Sequence, residues 1–251
     1  MEFPTLEAGW MLLMGWLYQQ AEISPESLTA EEVQRFIRTH TDVLDNAVDT
    51  ALKEVPLDDI SVQRLKESNY VFSGIKTFHE LNEAFPSLLD EEGNRKPFNQ
   101  FLNDVQKVYD AYNVQYLRTE YNFAQASALM AARWKKFEQD GDRYNLQYRT
   151  MYDKRVRRTH RMLHNITLPI TSPFWDKYFP PNGWNCPLYG GTGAQRQIPR
   201  EQRAGSYESG QSGYRRKVSG NVYVQPRQAD DNLPGIQRLH TAQMQPVRST
   251  P

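Results

Sequence analysis

One cysteine in 251 residues leaves no internal disulfide to staple the fold, and Cys186 fits a reducing compartment. Net charge is missing too: 30 basic residues balance 30 acidic ones, so no global field directs the chain to nucleic acid or membrane. Long apolar runs are scarce. The most apolar stretch, residues 1–20, carries Trp10, Met11, Leu12, Leu13, Met14, Trp16 and Leu17. Glu2 and Glu7 stand where a signal peptide needs basic residues. The run falls short of the ~20 residues that span a bilayer, so it reads as a helix facing a core or partner. The chain is therefore expected to be soluble, with no membrane partner. No internal repeat, Walker A motif or dinucleotide fingerprint is present, because Gly190-Gly191-Thr192-Gly193 lacks the required spacing. With 39% hydrophobic residues and a mean hydropathy of -0.75, part of the chain is expected to be exposed or disordered.

What is present is mostly helical in period. After a turn at Ser24–Ser27, Thr29-x-x-Glu32 has the form of a capping box. Val33, Phe36, Ile37, Val43, Leu44, Ala47, Val48, Ala51 and Leu52 then step by three or four, predicting a helix that ends before Pro56. A shorter helix is expected over 60–67, a strand or extended turn over 70–74, and another helix over 77–84. Asp90–Asn94 reads as a solvated turn, with Pro97 at the first position of the next helix. That helix carries Phe98, Phe101, Leu102, Val105, Val108, Tyr109 and Tyr112 on one side. A further helix over 114–139 stops at Gly141. The tyrosines at 112, 116 and 121, with Phe123, are read as core rather than as a base-stacking stripe. Beyond Gly141 the period becomes two, with Tyr144, Leu146 and Tyr148 alternating with polar residues, which predicts a half-buried strand. A short basic helix is expected from about Arg155 to His164. The fold class is thus α+β and predominantly helical: an N-terminal helical region, a small α+β module and an irregular tail.

Chemistry-bearing residues crowd between Gly141 and Cys186. His160, His164 and Cys186, with Asp153, offer imidazole, thiolate and carboxylate donors that zinc accepts. His160 and His164 are four apart, as if on one helix face. No glutamate lies between them in the metalloprotease manner, and no Cys-x-x-Cys pair exists, so no cofactor is expected, with zinc as the alternative. A buried thiol and a structural histidine account for the same residues. Arg155, Arg157, Arg158 and Arg161 can grip phosphate, or pair with Asp153 and Asp176. Trp175 and Trp184, beside prolines, are expected to form the module's own small core. Cys186 and His160 lack an orienting partner and an oxyanion donor, so no catalytic residues are assigned and the chain is not read as an enzyme.

The order of these residues resembles the Mu F-like head-morphogenesis, or minor head protein, family. The pattern is Asp153-x-Arg155-x-Arg157-x-x-His160, then Leu168-Pro169 and Pro173-Phe174-Trp175, then Pro180-Pro181-Asn182-Gly183-Trp184-x-Cys186. The resemblance covers roughly Val71 to Cys186 and sets expected domains of 1–68 (helical), 69–186 (Mu F-like) and 187–251 (irregular). It implies a minor head protein of a tailed phage or prophage acting in procapsid morphogenesis in the bacterial cytoplasm and ending in the phage head. The implied partners are portal and capsid proteins and the packaged DNA. The family's Cys-x-Cys is broken here, with Leu188 in the second place. Two other readings stand beside it: a module of a phage-derived toxin or nuclease-type effector, and a metal-dependent nucleic-acid-binding protein. The tail after Cys186 is rich in Gly, Gln, Ser, Arg and Pro with no sustained period. Moved by one nucleotide, codons for Pro187–Ala194 can encode Arg-Cys-Thr-Val-Val-Gln-Val-Arg, the text that resembling proteins carry. A one-nucleotide insertion after the Cys186 codon is therefore expected, leaving 187–251 out of frame.

Overall fold

A computed structural model describes residues 4–151, 154, 156–184 and 186, together with the strand 195–199. Five helices make the larger part: α1 (Pro4–Leu17), α2 (Glu31–Leu52), α3 (Asp59–Ala84), α4 (Phe98–Tyr109) and α5 (Leu117–Asp140). They bury one continuous apolar cluster running from Leu6, Leu13 and Leu17 of α1 through Phe36, Ile37 and Leu44 of α2 to Phe101, Val105 and Ala128. The periodicity of α2 and α4 is honoured: their apolar stripes at three- and four-residue steps are the buried ones. No helix among the described residues is long and apolar enough to cross a membrane. α1 buries Leu6, Trp10, Leu13, Met14 and Leu17, while Met11 and Leu12 on its other side are exposed.

Several local expectations are corrected. The Thr29–Glu32 capping box does not form: α2 starts at Glu31 after Ala30, and Thr29 Oγ1 donates instead to the Glu26 carbonyl. The capping box belongs one turn earlier, to Ser24 and Ser27 on a 3-10 turn at Pro25–Thr29. The expected strand at 70–74 and the separate helices beside it are one helix, α3, with Asp58 as N-cap accepting the Ser61 amide. β-branched and aromatic residues at Tyr70-Val71-Phe72 suggested a strand, and tertiary packing overrides that propensity. The expected boundary at 68/69 falls inside α3, and helices on both sides of it share the same core. Pro97 precedes α4 as its N-cap, and α4 runs into a π-helical stretch at Asp110–Gln115 before α5 begins at Leu117.

The Asp90–Asn94 turn forms as expected: Asp90 Oδ1 accepts the amides of Glu92 and Asn94, and Gly93 takes φ 81. Arg95 donates to the carbonyls of Tyr18 and Gln20, tying this loop to the end of α1. At the far end of α5, Gly141 (φ 60) stops the helix where the sequence indicated.

Beyond it lies the small module. β1 (Tyr144–Tyr148) is the central strand of an antiparallel sheet of order β2-β1-β3. β2 (Thr167–Pro169) pairs with Leu146 opposite Leu168, and β3 (Gln195–Pro199) pairs with Leu146 opposite Gln197. Five residues of the tail expected to be irregular therefore supply an edge strand. Helices α6 (Arg158–Arg161) and α7 (Phe174–Tyr178) are one turn each. The basic helix expected to reach His164 ends at Arg161. α5 joins the two parts: Ala124 and Ala128 lie in the large core, and Met130 and Trp134 farther along the helix lie in the module's core.

Candidate functional site

The motif residues converge on a folded-over turn. Phe174, Trp175 and Phe179 pack with Leu146, Tyr148 and Cys186 and with Met130 and Trp134 of α5. Trp175 is 1% exposed, and its indole Nε1 donates to the Pro169 carbonyl at 2.9 Å, so the buried ring leaves no donor stranded. Phe174 meets Trp175 edge-on at 4.8 Å, and Phe179 meets Trp134 the same way at 4.8 Å. Cys186 is a buried free thiol in this aromatic cluster. Burial, then the neighbouring Cys186, pushes the Tyr148 phenol up from its ordinary range.

Arg157 closes the turn. Its guanidinium donates to the Asn182 carbonyl at 2.6 Å and the Trp184 carbonyl at 3.1 Å, gripping the backbone on both sides of Gly183. Gly183 has φ +96, and a Cβ there would meet Arg157 Nη1 at 3.1 Å, so both the conformation and the close approach call for glycine. Asn182 Nδ2 donates back to the Tyr178 carbonyl at 2.8 Å. The Pro180–Pro181 bond is cis. Within the chain, the hydrogen bonds of Arg157 go to the Pro-Pro-Asn-Gly-Trp turn and to no carboxylate among the described residues.

Trp184 is placed differently from expectation. It does not join the module's core but lies 40% exposed against the helical part, 5.5 Å from the Phe72 ring of α3 and 5.0 Å from the Phe123 ring of α5. Trp175 builds the module, and Trp184 fastens it to the helices.

The metal candidates are dispersed in role. His164 lies beyond the end of α6, and its Nδ1 accepts the Thr150 amide at 3.1 Å, with the Thr150 hydroxyl at 2.9 Å. His160 is half-buried; burial, then the Arg157 charge, holds its imidazole below the ordinary range. Burial and Arg149 do the same to His164. Asp153 and Arg155 lie outside the described residues. Among the described residues, no three His, Cys, Asp or Glu side chains come together closely enough to hold a metal.

A second polar site, unexpected from the sequence, is buried among the helices. Lys76 of α3, 5% exposed, donates to Glu120 Oε2 of α5 at 2.7 Å and to the Tyr112 carbonyl in the π-helical stretch at 2.8 Å. It also reaches His40 Nε2 of α2 at 2.9 Å, while His40 Nδ1 lies 2.8 Å from Ser73 Oγ. Ser73 Oγ donates to the Asn69 carbonyl, and His40 Nε2 lies 3.1 Å from Glu120 Oε2 as well as beside Lys76, so the imidazole sits between a hydroxyl, an ammonium and a carboxylate. Burial, followed by the Lys76 charge, lowers the proton affinity of the imidazole. Burial pushes Glu120 up, but hydrogen bonds and charge from His40 and Lys76 outweigh it and hold the carboxyl below its ordinary range. One turn along α3, Glu80 is fully buried; Asn113 donates to its Oε1 at 2.8 Å, and burial raises its pKa to about 7. Asn69, Ser73, Lys76, Thr77 and Glu80 form a polar stripe at helical spacing, which is the signal that could have revealed this site. The π-helical stretch brings the Tyr112 carbonyl and Asn113 into it.

The family described as Phage Mu protein F like protein matches residues 93–187. The match begins in the Asp90–Asn94 turn, takes in α4, the π-helical stretch, α5 and the module, and stops one residue past Cys186. A protein of Escherichia phage Mu, named putative capsid assembly protein F, is 34% identical over 100 residues. That alignment covers 39% of this chain and 20% of the phage Mu protein, so the chain spans a minor part of that relative's length. No solved structure matches the chain. The segment 93–187, in which the arginine-clamped turn and the helix beneath it are one continuous body, is thus the part of the chain that is similar to the Mu F-like family of phage proteins.

Proposed function

We propose that the chain is a minor head protein that acts in head assembly of a tailed phage or prophage, associating with portal or capsid proteins and with the packaged DNA. The observation that carries this reading is the family match over 93–187, together with a relative named for capsid assembly. The geometry supports an assembly role: the most specific motif residues are spent on structure. Arg157, Asn182 and Gly183 shape a turn, Trp175 fills a core, and Trp184 lies against the helices. Such a module presents a fixed surface to partners, and no reaction is assigned to it. On this reading the chain is made in the bacterial cytoplasm and ends in the phage head. Deleting its coding sequence from the phage or prophage that carries it should abolish normal heads in electron micrographs, with rescue by the gene in trans. Normal heads and full titre without it would defeat the proposal.

A further inference from the structure

The neutrality of the whole chain conceals a separation of charge that the fold makes spatial. Before Gly141 there are 13 basic and 23 acidic residues; from Gly141 to Cys186 there are 8 basic and 3 acidic. In the helical part, cations meet carboxylates: Lys66 with Asp49, Lys76 with Glu120, Lys96 with Asp104. In the module Arg143 pairs with Asp140, but Arg149 and Arg157 turn to neutral acceptors. Arg149 donates to the amide oxygens of Gln147 and Asn165, and Arg157 to two backbone carbonyls. Lys154 and Arg158 are exposed, and none of the four meets a carboxylate among the described residues. Neutral acceptors hold two of these guanidiniums in place without cancelling their charge. The field reaches the neighbours, since Arg157 and Arg149 each help to depress a histidine.

We propose that the module, through Arg149, Lys154, Arg157 and Arg158, binds the sugar–phosphate backbone of double-stranded DNA without reading its sequence. Guanidinium and ammonium groups left with positive charge match phosphate, and binding them releases the counterions condensed on the duplex. An acidic protein surface offers no comparable release, which favours DNA over a second copy's helical part. The acidic helices are repelled by the duplex, so the molecule approaches it with the module foremost. This inference rests on the head-assembly reading for its setting and names the surface that would face packaged DNA.

The test is fluorescence anisotropy of a short labelled duplex titrated with the full chain at several salt concentrations. With four phosphate contacts, affinity should fall on the order of 100-fold between about 50 and 200 mM salt. The double variant Lys154→Gln/Arg158→Gln should make the slope of log affinity against log salt shallower by about 2 with an unchanged thermal midpoint. A tail variant, Arg215→Gln/Arg216→Gln/Lys217→Gln, serves as the comparison. Absence of duplex binding at low salt, or a slope change confined to the tail variant, overturns the proposal. So does DNA-free assembly of the chain at low salt that the double variant abolishes, which would assign these residues to a second copy. A chain present in heads that fails to bind duplex would sink this inference alone and leave the head-assembly reading in place.

Discussion

At the scale of single residues, Glu80 and Gly183 make the sharpest claims. Glu80 is buried without full ionic compensation, because Lys76 is committed to Glu120. Its carboxyl has a folded pKa of about 7 against an ordinary 4.5. The unfolded chain therefore releases this proton first, and stability declines as pH rises through that window and stays reduced above it. The full effect is up to about 3 kcal/mol. Glu80→Gln should raise the melting temperature at about pH 8 by several degrees and leave it little changed at about pH 5, read by calorimetry. Equal shifts at both pH values would show that Glu80 does not titrate as described. Gly183→Ala places a Cβ against the Arg157 guanidinium at a positive φ, and should cost about 1–3 kcal/mol in denaturant unfolding. A neutral result would remove Arg157 as the clamp of the turn. Because His164 Nδ1 is taken by Thr150 and Cys186 lies in an aromatic cluster, purified protein is expected to lack stoichiometric zinc. One zinc per chain in metal analysis would contradict this.

Among the elements, two tryptophans nine residues apart should fail differently. Trp175→Ala empties the centre of the module's core and should destabilise it by about 3–5 kcal/mol. Trp184→Ala removes a half-exposed ring that lies against Phe72 and Phe123. It should leave overall stability nearly intact while hydrogen exchange quickens in β1 and the turn. If instead Trp184→Ala unfolds the chain, the ring is part of a core and not a fastening. How much of this was readable beforehand follows from what the residues signal. The apolar stripes of α2 and α4, the stop at Gly141 and the alternation of β1 were legible because burial there follows hydrophobicity. α3 was not, because most of its buried face is Asn69, Ser73, Lys76, Thr77 and Glu80, which resemble a solvated face until His40, Glu120 and Asn113 arrive from other elements. The metal reading rested on donor types and a four-residue spacing. It did not foresee that α6 ends at Arg161 or that Thr150 would occupy His164. The irregular tail supplies β3, yet the family match ends at residue 187, where the reading frame is expected to shift. Sequencing the gene decides that point: no family-like text in the neighbouring frame would end the frameshift proposal.

For the whole molecule, the account is of a helical part and a small basic module joined by α5, which gives residues to both cores, and by Trp184. The similarity to the Mu F-like family runs from the Asp90–Asn94 turn to the residue after Cys186, so under the proposed head-assembly role any surface for partners would depend on a closed module. The most direct measurement is the protein content of purified heads from a deletion strain complemented with either the chain or its Trp175→Ala variant, read by mass spectrometry. The account predicts that the unaltered chain is found in the heads, and that the variant, expressed at the same level, is absent from particles. Heads that form normally and contain neither protein, or that take up both equally, would contradict it.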